Sequence, residues 1–177
     1  MSGARVSRAI ARAIVRGAVG RATSEFILLT IARSRVQRIP IAMNAAIGTA
    51  LVIAALARGV NDWTSLLHPR TAVLWIPLVI VYWTVIGLRA SFFVPSHLPA
   101  AWTLSVNGPQ PTSAYWSCVR AAMIGVVLPP ALIGVLLLVP LVGWRVASWH
   151  SLIVVPAAIL LIDIVAQAID FVPFTRP

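Results

Sequence analysis

Apolar residues run almost unbroken through four stretches of this chain, Ile39–Ala57, Thr71–Leu88, Ala121–Trp144 and Ser151–Ile169, and arginines stand at most of their edges. Arg38 and Arg58 bracket the first run, Arg70 and Arg89 the second, Arg120 and Arg145 the third. Each run has about the length a helix needs to cross a ~30 Å hydrocarbon layer at ~1.5 Å per residue. The pattern predicts an all-α fold, a polytopic transmembrane helical bundle of four spans occupying residues 39–170. Pro40 suits the start of the first span, where a missing N–H costs nothing. Pro129 and Pro130 near the middle of the third span, with Pro140 near its end, predict a kink, read either as a gating hinge or as a tolerated bend.

Ahead of the spans, residues 1–38 form a basic juxtamembrane segment expected on the cytoplasmic side. Arg5, Arg8, Arg12 and Arg16 recur at spacings of three and four, so in a helix over 3–19 they share one face, with Val6, Ile10 and Ile14 opposite. A basic stripe backed by an apolar one suits a helix lying in the headgroup plane, its arginines on anionic lipid headgroups. The alternative is a solvated helix or a disordered basic tail. Ser24 is a candidate N-cap for a second helix running along the surface to Arg38. Residues 89–120 read as an interfacial loop, with an alternating stretch at 102–107, a turn at Asn107-Gly108-Pro109, and Thr112 or Ser113 as cap of the next helix.

Composition agrees with the pattern. Apolar residues make up 60% of the chain, charged ones 10%, and the mean hydropathy is +0.94, outside the range of water-soluble domains. A net charge of +10 would suggest nucleic acid in a soluble protein. Here eight of the fourteen arginines precede residue 39, which points to topology and lipid contact instead. With the N-terminus inside, arginines divide eleven cytoplasmic to three outer, favouring N-in and C-in. The apolar stretch starts too far behind the basic segment for a cleavable signal peptide.

Chemistry is sparse. Asp163 lies inside the fourth span, where a carboxylate is expensive, and Gln167 and Asp170 follow on the same helical face. Asn44 in the first span and Thr84 in the second lie at similar depth. The five residues are therefore expected to form one polar layer, with Asp163 within hydrogen-bonding reach of Asn44 or Thr84, and Arg89 a weaker candidate partner. Such a layer is either an ion, proton or substrate site or an interhelical packing contact. Phosphate loops, paired histidine ligands and nucleophile elbows are missing from the sequence, which predicts neither an enzyme nor a cofactor or metal site. His68, His97 and His150 are expected in three separate loops, and Cys118 as a structural thiol.

Residues 26–35 (FILLTIARSR), 98–104 (LPAAWTL), 114–120 (AYWSCVR) and 172–176 (VPFTR) resemble segments of an uncharacterised family of bacterial polytopic inner-membrane proteins. The resemblance covers most of residues 26–176 and implies that the chain is an excerpt of a longer member, its tail at 171–177 truncated. It implies a fold and a compartment but no site residues. Two functions fit the residues. One is a transporter or permease-like component centred on Asp163. The other is a non-catalytic membrane scaffold or assembly subunit, with further membrane helices or subunits as partners.

Overall fold

The computed structural model describes residues 18–60, 71–94, 112–169 and 173–174, and all its regular elements are helices. They are α1 (Ala18–Arg33), α2 (Arg35–Val60), the single turn α3 (Thr71–Leu74), α4 (Ile76–Phe93) and α5 (Ser113–Gln167). Three of them contain stretches long and apolar enough to cross a membrane: Arg35–Ala54, Ile76–Phe93 and Tyr115–Gln167.

The longest of these, α5, is not one rod. Gly143 has φ 80° and ψ 160°, a region essentially restricted to glycine, and divides it into a first arm, 113–142, and a second arm, 144–167. Arg120 and Asp163 lie 43 residues apart in sequence yet their side chains bond, whereas a continuous helix would hold them about 65 Å apart. The arms therefore fold back on each other as a hairpin. The reversal occurs at this glycine, inside the expected third span and just ahead of the gap expected over 145–150. Pro129, Pro130, Pro140 and Pro156 all sit within helical backbone.

Burial follows helical periodicity. Along α1, Ser24, Ile27, Leu28 and Ile31 are buried, a single stripe that meets α5. In the first arm of α5 the stripe is Val119, Met123, Val127, Ala131, Val135 and Leu138, and in the second it is Val154, Ala158, Ile162 and Val165. Helix α4 lies between α2 and α5 and contributes Val81, Val85, Leu88 and Phe92 to the core. Two close approaches set these crossings. A Cβ on Gly87 would stand 2.9 Å from the Ile41 Cα of α2, and one on Gly134 would stand 3.1 Å from the Pro77 Cα of α4. Where lipid supplies no hydrophobic driving force, small residues that admit close packing are a principal source of helix association.

Several helix ends differ from the sequence reading. Ser24 is not an N-cap: it lies inside α1, and its Oγ donates to the Cys118 carbonyl of α5 at 3.2 Å. The cap falls instead on Ser34, whose Oγ accepts from the Gln37 N–H at 3.4 Å as α2 begins. Pro40 consequently sits more than a turn inside α2. Thr112 does cap α5, accepting from the Tyr115 N–H at 3.3 Å. The loop expected over 89–120 is shorter at both ends, since α4 runs to Phe93 and α5 starts at Ser113. His150, expected in a loop, lies in the second arm of α5. The basic helix carrying Arg5, Arg8, Arg12 and Arg16, the alternating stretch at 102–107, and His68 and His97 lie outside the described residues.

Candidate functional site

The polar residues expected to meet in one layer divide into separate local arrangements. Asn44 turns back on its own helix, its Nδ2 donating to the Pro40 carbonyl at 2.8 Å. That carbonyl accepts it in α2, close beside Gly87. Thr84 does likewise in α4, its Oγ1 donating to the Ile80 carbonyl at 2.7 Å. A hydroxyl or amide bonded one turn back satisfies its donor without a partner helix, which is how a lone polar residue survives in an apolar helix. Thr84 and Thr49 border a small recess of about 200 Å³ between α2, α4 and α5, floored by Gly48 and Trp83.

Asp163 finds a different partner. Its Oδ1 accepts from Arg120 Nε, and its Oδ2 accepts from an Arg120 Nη at 2.9 Å. This is a bidentate carboxylate–guanidinium pair, the arrangement that Arg can make and Lys cannot. It joins the two arms of the α5 hairpin. Neither Asn44 nor Thr84 serves as the partner of Asp163, so the expected layer is corrected on this point. The physical reason is reach: Arg120 lies inside α5 because the helix starts at Ser113, and the fold at Gly143 brings it opposite Asp163. The side chains of the pair are 45% and 32% exposed, so the pair sits on the flank of the bundle and not within it.

Gln167 does share the face of Asp163 as expected, and both line an open recess of about 380 Å³ together with Trp116, Ser117 and Arg120. Asp170 lies outside the described residues. Arg89, the weaker candidate partner, stacks its guanidinium 5.4 Å over the Phe93 ring.

A second polar clasp escaped the sequence reading. Gln37 is fully buried, and its Nε2 donates to the Val94 carbonyl at 2.7 Å, tying the start of α2 to the end of α4. Phe174 has no exposed surface and packs edge-on against Phe92 of α4 and Phe26 of α1. The Phe174 N–H donates to the Phe92 carbonyl at 3.0 Å. Only the unusual position of one glutamine, just ahead of an apolar run, could have pointed to the clasp. Among the described residues no group of His, Cys, Asp and Glu could hold a metal ion.

Compared with known proteins, the chain matches no family model, no curated protein and no solved structure.

Proposed function

We propose that this chain is a non-catalytic membrane scaffold or assembly subunit, a helical bundle that holds its place in a bilayer and presents a surface to other components. The observation that carries this reading is the Arg120–Asp163 pair. The most conspicuous carboxylate of the membrane helices is bonded through both oxygens to an arginine, which makes it a clasp between two helical arms. A carboxylate bonded through both oxygens across two helical arms serves as an interhelical packing contact without any transported ligand.

In this reading α2, α4 and the two arms of α5 make four crossings, with both termini cytoplasmic by the arginine count. The bacterial cytoplasmic membrane and the polytopic family rest on the sequence resemblance. A transporter or permease-like component is the second reading. It draws on the open recess beside Asp163, which offers a polar wall of Arg120 and Gln167. Ion and proton flux in reconstituted vesicles separates the two. The scaffold reading expects the same flux from wild type, Asp163→Asn and protein-free vesicles. Flux that wild type carries and Asp163→Asn loses would replace it with the transporter reading.

A further inference from the structure

The geometry points to the recess at Arg120 and Asp163 as a binding site for a zwitterionic phospholipid headgroup, one carrying both a phosphate and a primary ammonium.

Depth comes first. Asp163 lies 20 residues beyond Gly143 and Arg120 lies 23 before it. At ~1.5 Å per residue the pair is about 30–35 Å from the tip of the hairpin. That distance matches the thickness of the hydrocarbon layer, about 30 Å. At the tip stand Trp144, exposed, and Arg145, residues typical of a membrane interface. With the tip at one hydrocarbon boundary, the pair falls at the other, where the headgroups begin. Trp116, one turn from Arg120, lines the recess at the same level.

Unspent hydrogen-bonding capacity comes second. A guanidinium has five N–H donors, and Asp163 takes one from Nε and one from a single Nη. The remaining three have no acceptor among the described residues. Each carboxylate oxygen keeps one lone pair unused. The recess therefore presents donors and acceptors side by side, with a positive and a negative charge in fixed order. A phosphate accepts from Arg120 while a neighbouring ammonium donates to Asp163. An anionic headgroup satisfies only the first contact. A trimethylammonium headgroup has no N–H to give the second.

The surface beyond the recess suits the rest of a lipid. Leu160, Asp163, Ile164 and Gln167 share one face of the second arm, and Leu160 and Ile164 are more than half exposed. Leu160 lies one turn from Asp163 toward the bilayer centre, where acyl chains would follow.

The test uses the full chain, stripped of lipid in mild detergent, with bound lipid counted by native mass spectrometry. Phosphatidylethanolamine is compared with its mono-, di- and trimethylated forms and with phosphatidylglycerol, all with the same acyl chains. Retention is expected to fall stepwise along the methylation series, by about fivefold overall, the size of one exposed ionic contact. Asp163→Asn is expected to flatten that series. A flat series in the wild type, or the same slope in wild type and Asp163→Asn, would overturn the site. Because the series needs no variant, it decides even if Asp163→Asn misfolds. Soluble glycerophosphoethanolamine at equal concentration is expected not to displace the lipid; displacement would reassign the recess to a soluble metabolite. Carbonate extraction of native membranes is run in parallel. Release of the wild type would reject the membrane placement itself, whereas retention with a flat series rejects the lipid site alone.

Discussion

At the scale of single residues, polar groups in this chain are satisfied locally or in pairs. Asn44 and Thr84 bond to carbonyls one turn earlier in their own helices, so neither depends on a neighbour. Asp163 and Arg120 satisfy each other across the hairpin. Because that pair is exposed on the flank of the bundle, its contribution to stability is expected to be small. Exposed ion pairs are worth about 0.2–1 kcal/mol, whereas breaking a buried pair costs about 3–5 kcal/mol. A double-mutant cycle with Arg120→Gln and Asp163→Asn, read by reversible unfolding in detergent, is expected to give a coupling below about 1 kcal/mol. A coupling of several kcal/mol would mean that another surface covers the pair in the folded state. The presence of Asp163 and its helical face shared with Gln167 were legible in the sequence. Its partner was not, because matching by depth assumed that arginines mark the edges of helices. Arg38, Arg89 and Arg120 all lie inside helices instead. A long side chain can reach a partner or the interface from a position a turn or more inside, so its Cα is a poor boundary marker.

At the scale of elements, the apolar runs told where helices lie because a bilayer demands length and continuity. They told less about how the helices join. The sequence reading needs a polar loop over 145–150, yet the chain reverses at Gly143 alone, between Val142 and Trp144, with none of the usual turn dipeptides beside it. Two glycines make contrasting predictions. At Gly87 the conflict is steric, because a new Cβ would press on the backbone of α2. Gly87→Ala gains up to about 1 kcal/mol of helix propensity but incurs about 1–3 kcal/mol of overpacking, so a net loss is expected. Gly87→Leu is expected to lose more. Equal or greater stability of the alanine variant by thermal unfolding would show that α2 and α4 can separate freely. At Gly143 nothing lies within 4 Å of a new Cβ, so any effect must come from the backbone. Holding alanine at its dihedrals costs on the order of 1–3 kcal/mol. Spin labels at Ser117 and Gln167, which line the same recess, measure the closure of the hairpin. Gly143→Ala is expected to lengthen or broaden that distance. An unchanged narrow distance with unchanged stability would remove Gly143 as the hinge.

At the scale of the whole molecule, long apolar stripes lie exposed on the outside of the helices. Ile39, Met43, Ile47 and Leu51 form an exposed stripe at helical spacing along α2. Leu132, Leu136, Leu137 and Leu141 do the same along the first arm of α5. Monomeric soluble proteins rarely expose continuous surfaces of this kind, and a lipid solvent accounts for them directly. The placement of the hairpin then fixes a topology that can be measured. If α2 and α4 each cross once and the arms of α5 cross as a pair, the tip at Trp144 and the segment around Gly108 lie on opposite sides. From the arginine asymmetry, Gly108 is expected in the cytoplasm and Trp144 outside. Cys118, the only cysteine, is buried, so Cys118→Ala supplies a background for labelling. In that background Trp144→Cys is expected to react with an impermeant maleimide added to intact cells. Gly108→Cys is expected to react only after the membrane is opened. Both residues reacting from the same side would mean that the arms of α5 do not cross the bilayer. A reversed pattern would keep the crossings and overturn the orientation, leaving the basic segment at residues 1–38 on the outer face, against the charge rule.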